Sequence, residues 1–303
     1  MLSSRTERSK PTKPIRGIHG WTALLALALG AGLGCDSGSR GKDASPATSQ
    51  QMAQVAVRMD LPSGGAPSVS VLAFRAEAVD VTAADVLGAV DPLVVDAPVS
   101  SCELRDVGGT ARTMRTQGGS VNLQELSGVT LQVSADELLN PAPRVYPPLA
   151  DVVGGVIAEA GPLDLGRLPE TLTLAIATPT SDRAMVKLSL PNAPSVSDSS
   201  ETPLDAHITM SMKGDLVLRV SGPPRTFLEI RPFGAPSAIA CAVSSGGWVV
   251  VPHDLLTKLV ATAGHAPVSF EAVWREDKTV QAGGETTRIS FEARSSAVLE
   301  LRP

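Results

Sequence analysis

Aromatic residues are scarce in this chain. Its 303 residues include three Trp, one Tyr and five Phe. That leaves little material for the stacked-ring platforms used by sugar and single-stranded nucleic acid sites. There are only three cysteines, with no C-x-x-C and no Cys/His cluster at ligand spacing, so the sequence offers no structural zinc site. Basic charge is in deficit, with 26 Lys and Arg against 31 Asp and Glu. An acidic surface repels phosphate backbones, which argues against nucleic acid as a partner. No apolar run reaches the roughly 20 residues of a spanning helix; Trp21–Leu33 has 13. The motifs G-x-S-x-G, G-x-x-x-x-G-K-[ST] and H-E-x-x-H are all missing. Their absence removes the usual serine hydrolase, phosphate-cradling and zinc-protease signatures.

What is present begins with a leader. Met1–Gly20 carries Arg5, Arg8, Lys10, Lys13 and Arg16 against the single acid Glu7. Trp21–Leu33 then has the length of a secretory apolar region. Small residues lead into Cys35, as Leu29-Gly30-Ala31-Gly32-Leu33-Gly34-Cys35. This order resembles a bacterial lipoprotein signal peptide. The resemblance implies that residues 1–34 are removed and that Cys35 becomes the lipid-bearing first residue. Gly32 stands three places before Cys35, where such signals usually carry Leu or Val. Taking Cys35 as the lipid site leaves Cys102 and Cys241 as one pair available for a disulfide; two separate buried thiols are the alternative. Losing the leader's five bases and one acid leaves 269 residues with 21 basic and 30 acidic side chains, a net charge of −9. Membrane attachment would then be covalent, since a polybasic grip on anionic lipid is missing.

Residues 35–51 read as a flexible Ser/Gly/Ala tether. From residue 52 the pattern turns to strands. Val55, Val57 and Met59 alternate onto one face, as do Val69, Val71 and Ala73, and later Val129, Leu131 and Val133. Thr82–Val90 reads as a short helix stopped by Asp91-Pro92, and Ser134-Ala-Asp-Glu137 has capping-box spacing. Asn140–Pro148 is too rich in proline for regular structure and is expected to be extended. Residues 192–203 (NAPSVSDSSETP) lack periodic apolar positions and read as a linker between a module at 52–191 and one at 204–303. Beyond it, short strands are separated by glycine turns, and Leu255, Leu256, Leu259 and Val260 mark one helix closed by Gly264. Six of the eight aromatics that remain after cleavage lie beyond residue 226, which suggests two cores of different character. Gly128–Leu139 also parallels Gly247–Leu256, as an internal repeat or as convergence of common strand-to-helix signals.

The stretches Asp215-Leu-Val-Leu-Arg-Val220, Ile239-Ala-Cys-Ala-Val243 and Gly247-Trp-Val-Val-Val-Pro-His-Asp-Leu-Leu256 resemble the C-terminal part of a family of uncharacterised lipid-anchored lipoproteins of Gram-negative bacteria. Cys102-Glu-Leu-Arg-Asp-Val-Gly108 resembles it more distantly. The likeness covers about a third of the chain. It implies a lipid-anchored β-sandwich and brings no known activity.

Candidates for chemistry are few. His253-Asp254 reads as a helix start more readily than as a catalytic pair. His207 and His265 have no partner at metal spacing. Asp80, Asp85, Asp91 and Asp96 form an acidic stretch, and Asp151, Glu159 and Asp164 are acids that nothing in the sequence selects. Arg144 and Tyr146 lie between prolines, either in an exposed recognition segment or in a proline-rich connection over a sandwich edge.

The expected fold is therefore all-β, as two immunoglobulin-like or β-sandwich modules with a few short helices. The expected protein is exported to the cell envelope, the outer membrane ahead of the inner, and held to the membrane by lipid on Cys35. It is expected to be a non-enzymatic binding or scaffolding module for a protein or envelope polymer, with no cofactor, no metal and no nucleic acid. The alternatives are an envelope-polymer hydrolase and an adhesin module stabilised by calcium on Asp80–Asp96.

Overall fold

Alternating apolar residues bury one face of an extended chain, and this protein uses that device almost throughout. The structure is a computed structural model and describes residues 49–79, 101–106, 119–149, 153–177, 183–190, 192–204, 209–211, 213–235, 237–263, 267–282 and 284–302. In chain order the strands are β1 (Ser49–Pro62), β2 (Ser68–Val79), β3 (Cys102–Asp106), β4 (Ser120–Glu125), β5 (Val129–Gln132), β6 (Leu138–Leu139) and β7 (Ala142–Leu149). They continue as β8 (Val153–Asp164), β9 (Thr171–Ala177), β10 (Arg183–Ser189), β11 (Ser195–Ser197), β12 (Thr209–Ser211) and β13 (Leu216–Ser221). Then come β14 (Phe227–Pro232), β15 (Ser237–Ala242), β16 (Trp248–Val251), helix α1 (His253–Ala263), β17 (Val268–Ala282) and β18 (Glu285–Arg302).

The strands form three sheets. The large one runs β3-β15-β14-β17-β18-β1-β2-β4-β8-β7, with β12 added beside the end of β18. It draws strands from both sides of residues 192–203. β1 pairs in parallel with β18, setting Val55 beside Ile289 and Val57 beside Phe291. β3 pairs with β15, setting Cys102 beside Cys241. The second sheet is β10-β9-β5-β6 and the third β11-β13-β16. The described residues all lie within one compact unit, Asp43–Pro303.

Both small sheets pack on the same face of the large one, over different stretches of the same strands. Toward one end, Val55, Val57, Met59, Ile289 and Phe291 meet Leu131, Leu172, Leu174 and Ile176 of the four-stranded sheet. Trp274 stands edge-on to Phe291 there, with ring centroids 5.6 Å apart. Toward the other end, Phe270, Leu228, Ile230, Ala297 and Leu299 meet Leu218, Val220, Val249 and Val251 of the three-stranded sheet and Leu256 and Leu259 of α1. Burying each of these larger side chains contributes about 1.5–3 kcal/mol. The C-terminal aromatics thus serve both cores, because β17 and β18 are long enough to cross from one to the other. A third cluster, with Leu72, Phe74, Leu123 and Ile157, occupies the opposite face at β2, β4 and β8. In that region Gly155 has φ +134°, and a Cβ there would lie 2.0 Å from the Leu123 carbonyl oxygen. The backbone approach between β4 and β8 therefore requires glycine.

Several local expectations are corrected. Residues 192–203 contain β11, whose Val196 pairs with Val220 and is buried; one valine among Ser and Pro gives no periodicity to read. The capping-box segment starts no helix. The chain turns at residues 134–136, and β6 returns along β5, pairing Leu139 with Leu131. Pro141 leaves too few residues for a helix, while a two-residue bridge needs none. The parallel between Gly128–Leu139 and Gly247–Leu256 ends there, since the first closes as a strand and the second enters α1. The expected α1 does form, and Asp215 Oδ1 accepts the first-turn His253 N–H at 2.9 Å. Asn140–Pro148 is extended as expected, but as β7, at one end of the large sheet. Proline suits that place because an outer strand has backbone N–H groups without ladder partners. The expected helix at Thr82–Val90 lies outside the described residues.

Candidate functional site

The face of the large sheet turned away from its two main cores is lined by charge. Antiparallel register puts Glu229 beside Glu271, Arg275 beside Glu292 and Asp277 beside Ser290. Parallel register puts Arg58 beside Glu292 and Asp60 beside Arg294. Strands β14, β17, β18 and β1 thus each contribute polar side chains to one surface. Glu229, Glu292 and Arg294 are nevertheless buried, at 0%, 6% and 4% exposure.

Arg294 is the centre of this network. Its Nη1 donates to Glu271 Oε2 at 2.8 Å, its Nε donates to Glu292 Oε1, and Nη1 lies 3.9 Å from Glu229 Oε1. One guanidinium therefore serves three carboxylates. Arg58 reinforces Glu292 at 3.3 Å, Ser269 Oγ donates to Glu271 at 2.8 Å, and Arg231 pairs with Glu229. Farther along the same face, Asp277 accepts from Ser290 Oγ at 2.7 Å and from Arg288 at 3.1 Å. Ser290 Oγ in turn accepts from Gln54 Nε2 at 2.9 Å and from Arg275 Nη2 at 3.0 Å.

The carboxyls divide by environment. Burial pushes Glu271 upward, but Arg294, the Ser269 hydrogen bond and Arg231 outweigh it and hold the group below its ordinary value. Glu292 follows the same pattern, with burial overcome by Arg294 and Arg58. For Asp277, burial is overcome by the Ser290 hydrogen bond and Arg275. These three stabilise the fold above their unfolded-state values, and that stability is lost as pH falls through the lowered ones. Burial dominates at Asp60 and Glu229, and both are raised. Their sign is opposite: the stability linked to their protons is present below the unfolded value and lost as pH rises through the folded one.

The residues singled out in the sequence lie elsewhere. Cys102 and Cys241 are joined in a disulfide across 139 positions of sequence, one bridge between the neighbouring strands β3 and β15. His253 is exposed at the start of α1, and Asp254 pairs with Lys258 at 3.3 Å, one helical turn on. Glu159 pairs with Arg144 of β7, and Asp164 is exposed at the end of β8. Cys35, His207, His265, Asp80, Asp85, Asp91, Asp96 and Asp151 lie outside the described residues. Among the described residues, no group of three or more His, Cys, Asp or Glu is arranged to hold a metal, and no helix is long and apolar enough to cross a membrane.

A second surface feature lies on the three-stranded sheet. The register pairs Val217 with Val250 and Arg219 with Trp248 on its outer face. Val250, Val217 and Trp248 remain 52%, 39% and 38% exposed. The Arg219 guanidinium lies 5.7 Å from the Trp248 ring centroid and also pairs with Glu201. The inner face of the same strands, at Leu218, Val220, Val249 and Val251, is core.

Fold and surface together define a mostly β protein in which one long-stranded sheet carries two sandwich-like cores on one face and a buried charge network on the other. The chain matches no protein-family model, no curated protein and no solved structure.

Proposed function

We propose that this is a lipid-anchored cell-envelope protein whose folded part binds a protein partner without catalysing a reaction. On this reading Cys35 carries the lipid, the outer membrane is the favoured location, and of the expected tether at 35–51 the last three residues belong to β1, which begins at Ser49. The two cores are then sandwich-like modules fused through β17 and β18. The observation that carries export is the disulfide between Cys102 and Cys241, a bond typical of oxidising compartments outside the cytosol. It agrees with the signal-like leader.

The partner surface is the outer face of β13 and β16. Trp and Arg are the residue types most enriched among dominant interface contacts. Here they lie stacked beside two exposed valines. A single Trp ring already covered by a guanidinium suits a protein surface better than a row of sugar rings. Position fits as well. β1 begins at Ser49, and Ala53 lies beside Thr287, whereas the core beneath the patch is built around Ala297 and Leu299. At about 3.3 Å per residue the patch lies roughly 35 Å along β18 from the level of Ala53, four residues after β1 begins.

Two measurements test the reading. Cys35→Ser is expected to move the full chain from the membrane to the soluble fraction; unchanged fractionation refutes the anchor. Trp248→Ala with Val250→Asp, in the lipidated protein, is expected to abolish crosslinking to specific envelope proteins that the unaltered protein retains. Equal crosslinking by both, or loss of co-sedimentation with envelope polymer instead, overturns the assignment of a protein partner.

A further inference from the structure

We propose that Glu229 keeps its proton in the folded protein to higher pH than an ordinary glutamate does, and that this proton makes the β14–β17 seam an acid-strengthened joint. The geometry carries the inference. Glu229 is fully buried, and its register neighbour across the seam is another acid, Glu271. The cations that approach it do so at one oxygen only. Arg231 and Arg294 both address Oε1, while Oε2 is buried with no hydrogen-bond partner. Arg294 is already committed at shorter range to Glu271 and Glu292. Of the three carboxylates around that guanidinium, Glu229 has the longest contact with it, which leaves Arg231 as its one close cation.

Around Glu229, Arg294 and Arg231 favour ionisation, and burial together with the acids Glu271 and Glu292 outweighs them. Glu229 faces Glu271 of β17, with Ser269 donating to that acid rather than to Glu229. From β18 come Arg294 and Glu292, and from β14 itself Arg231. On β15 its register partner is Ala240, which carries no donor. One strand beyond, Glu103 is already paired with Arg105. On β1, beyond β18, Asp60 lies among Arg58, Arg294, Glu271 and Glu292. Two side-by-side acids sharing one guanidinium titrate as a coupled pair, and the less compensated member takes the first proton. Burial as the leading influence on Glu229 agrees with this assignment.

The consequence runs against ordinary acid denaturation. Between the unfolded-state value of Glu229 and its raised folded one, the native state holds up to one proton more than the unfolded chain. Stability therefore falls as pH rises through the folded value, by up to about tenfold in the unfolding constant per pH unit. β14 also carries Leu228 and Ile230 into the core beneath α1 and the three-stranded sheet, so deprotonation loosens that end of the protein first.

The test is urea unfolding of the full chain, with its disulfide intact, from pH 5 to 8, for the unaltered protein and Glu229→Gln. The unaltered protein is expected to be more stable at pH 5.5 than at pH 8. Glu229→Gln should lose that part of the slope and exceed the unaltered protein at pH 8. Equal slopes in the two overturn the proposal. Should Glu229→Gln fail to fold, carboxyl-carbon NMR of the unaltered protein with labelled glutamate decides. One glutamate is expected to keep the protonated shift above pH 5.5, and its absence overturns the proposal.

Discussion

Replacing Arg294 with methionine is expected to destabilise the fold by about 3–5 kcal/mol, the usual cost of removing one partner from a buried charge network. The side chain is 4% exposed and lies among Glu229, Glu271 and Glu292. Methionine keeps much of the packing, so the loss reports on charge. Without the guanidinium, Glu271 loses its 2.8 Å ion pair and retains the Ser269 hydrogen bond. Glu292 retains Arg58 at 3.3 Å, and Glu229 retains Arg231. Carboxyls held low by Arg294 then rise. The variant should recover part of its stability on mild acidification, because protons replace the missing positive charge. Urea unfolding at pH 7 and pH 5 measures both effects. A loss below about 1 kcal/mol at pH 7 would place the network among exposed ion pairs, which contribute little.

Removing the disulfide ranks second. Closing 139 residues restrains the unfolded chain by about 5 kcal/mol in the chain-entropy model, and measured losses for native bridges run about 2–5 kcal/mol. The structure shows why the local cost should be large as well. β3 has five residues and, among the described strands, pairs only with β15. Its tie to the core runs through Cys102 into Cys241, which is fully buried among Leu228, Ile230 and Phe270. The double variant Cys102→Ala, Cys241→Ala should lower the urea midpoint by that margin and raise amide exchange in β3 before the rest of the sheet. A change confined to exchange, with the midpoint unmoved, would mean that the bridge pins an edge without restraining global unfolding.

Strands were the most legible part of the fold. Val55, Val57 and Met59, or Val129, Leu131 and Val133, alternate because one face of each strand is buried, and a two-residue period is visible within a single segment. Helix α1 was legible for the same reason, from Leu255, Leu256, Leu259 and Val260. The elements that failed to show include β4, whose six residues have only Val121 and Leu123 on the buried face, and two very short strands. β6 has two residues and β11 three, fewer than a period needs to declare itself.

The charge network was written in the sequence and still could not be read there. Arg58-x-Asp60, Glu229-x-Arg231 and Glu292-x-Arg294 each alternate charge against apolar neighbours. Taken alone, each looks like the wet face of a half-buried strand. Their burial follows only when β14, β17, β18 and β1 come side by side, which gathers residues 58, 229, 271, 292 and 294 onto one surface.

The sequence by itself determined the β class, the single described helix, the acidic balance and the cysteine pair available for bonding, because each rests on local periodicity or on counting. Tertiary structure alone decided that the two cores on one face of the large sheet share β17 and β18, that Cys102 bonds Cys241, and that Glu229 lies buried beside another acid. The physical reason is range. Strand pairing is set by hydrogen bonds and packing between residues as distant as Val55 and Ile289, and no local pattern records which distant strand a chain will choose.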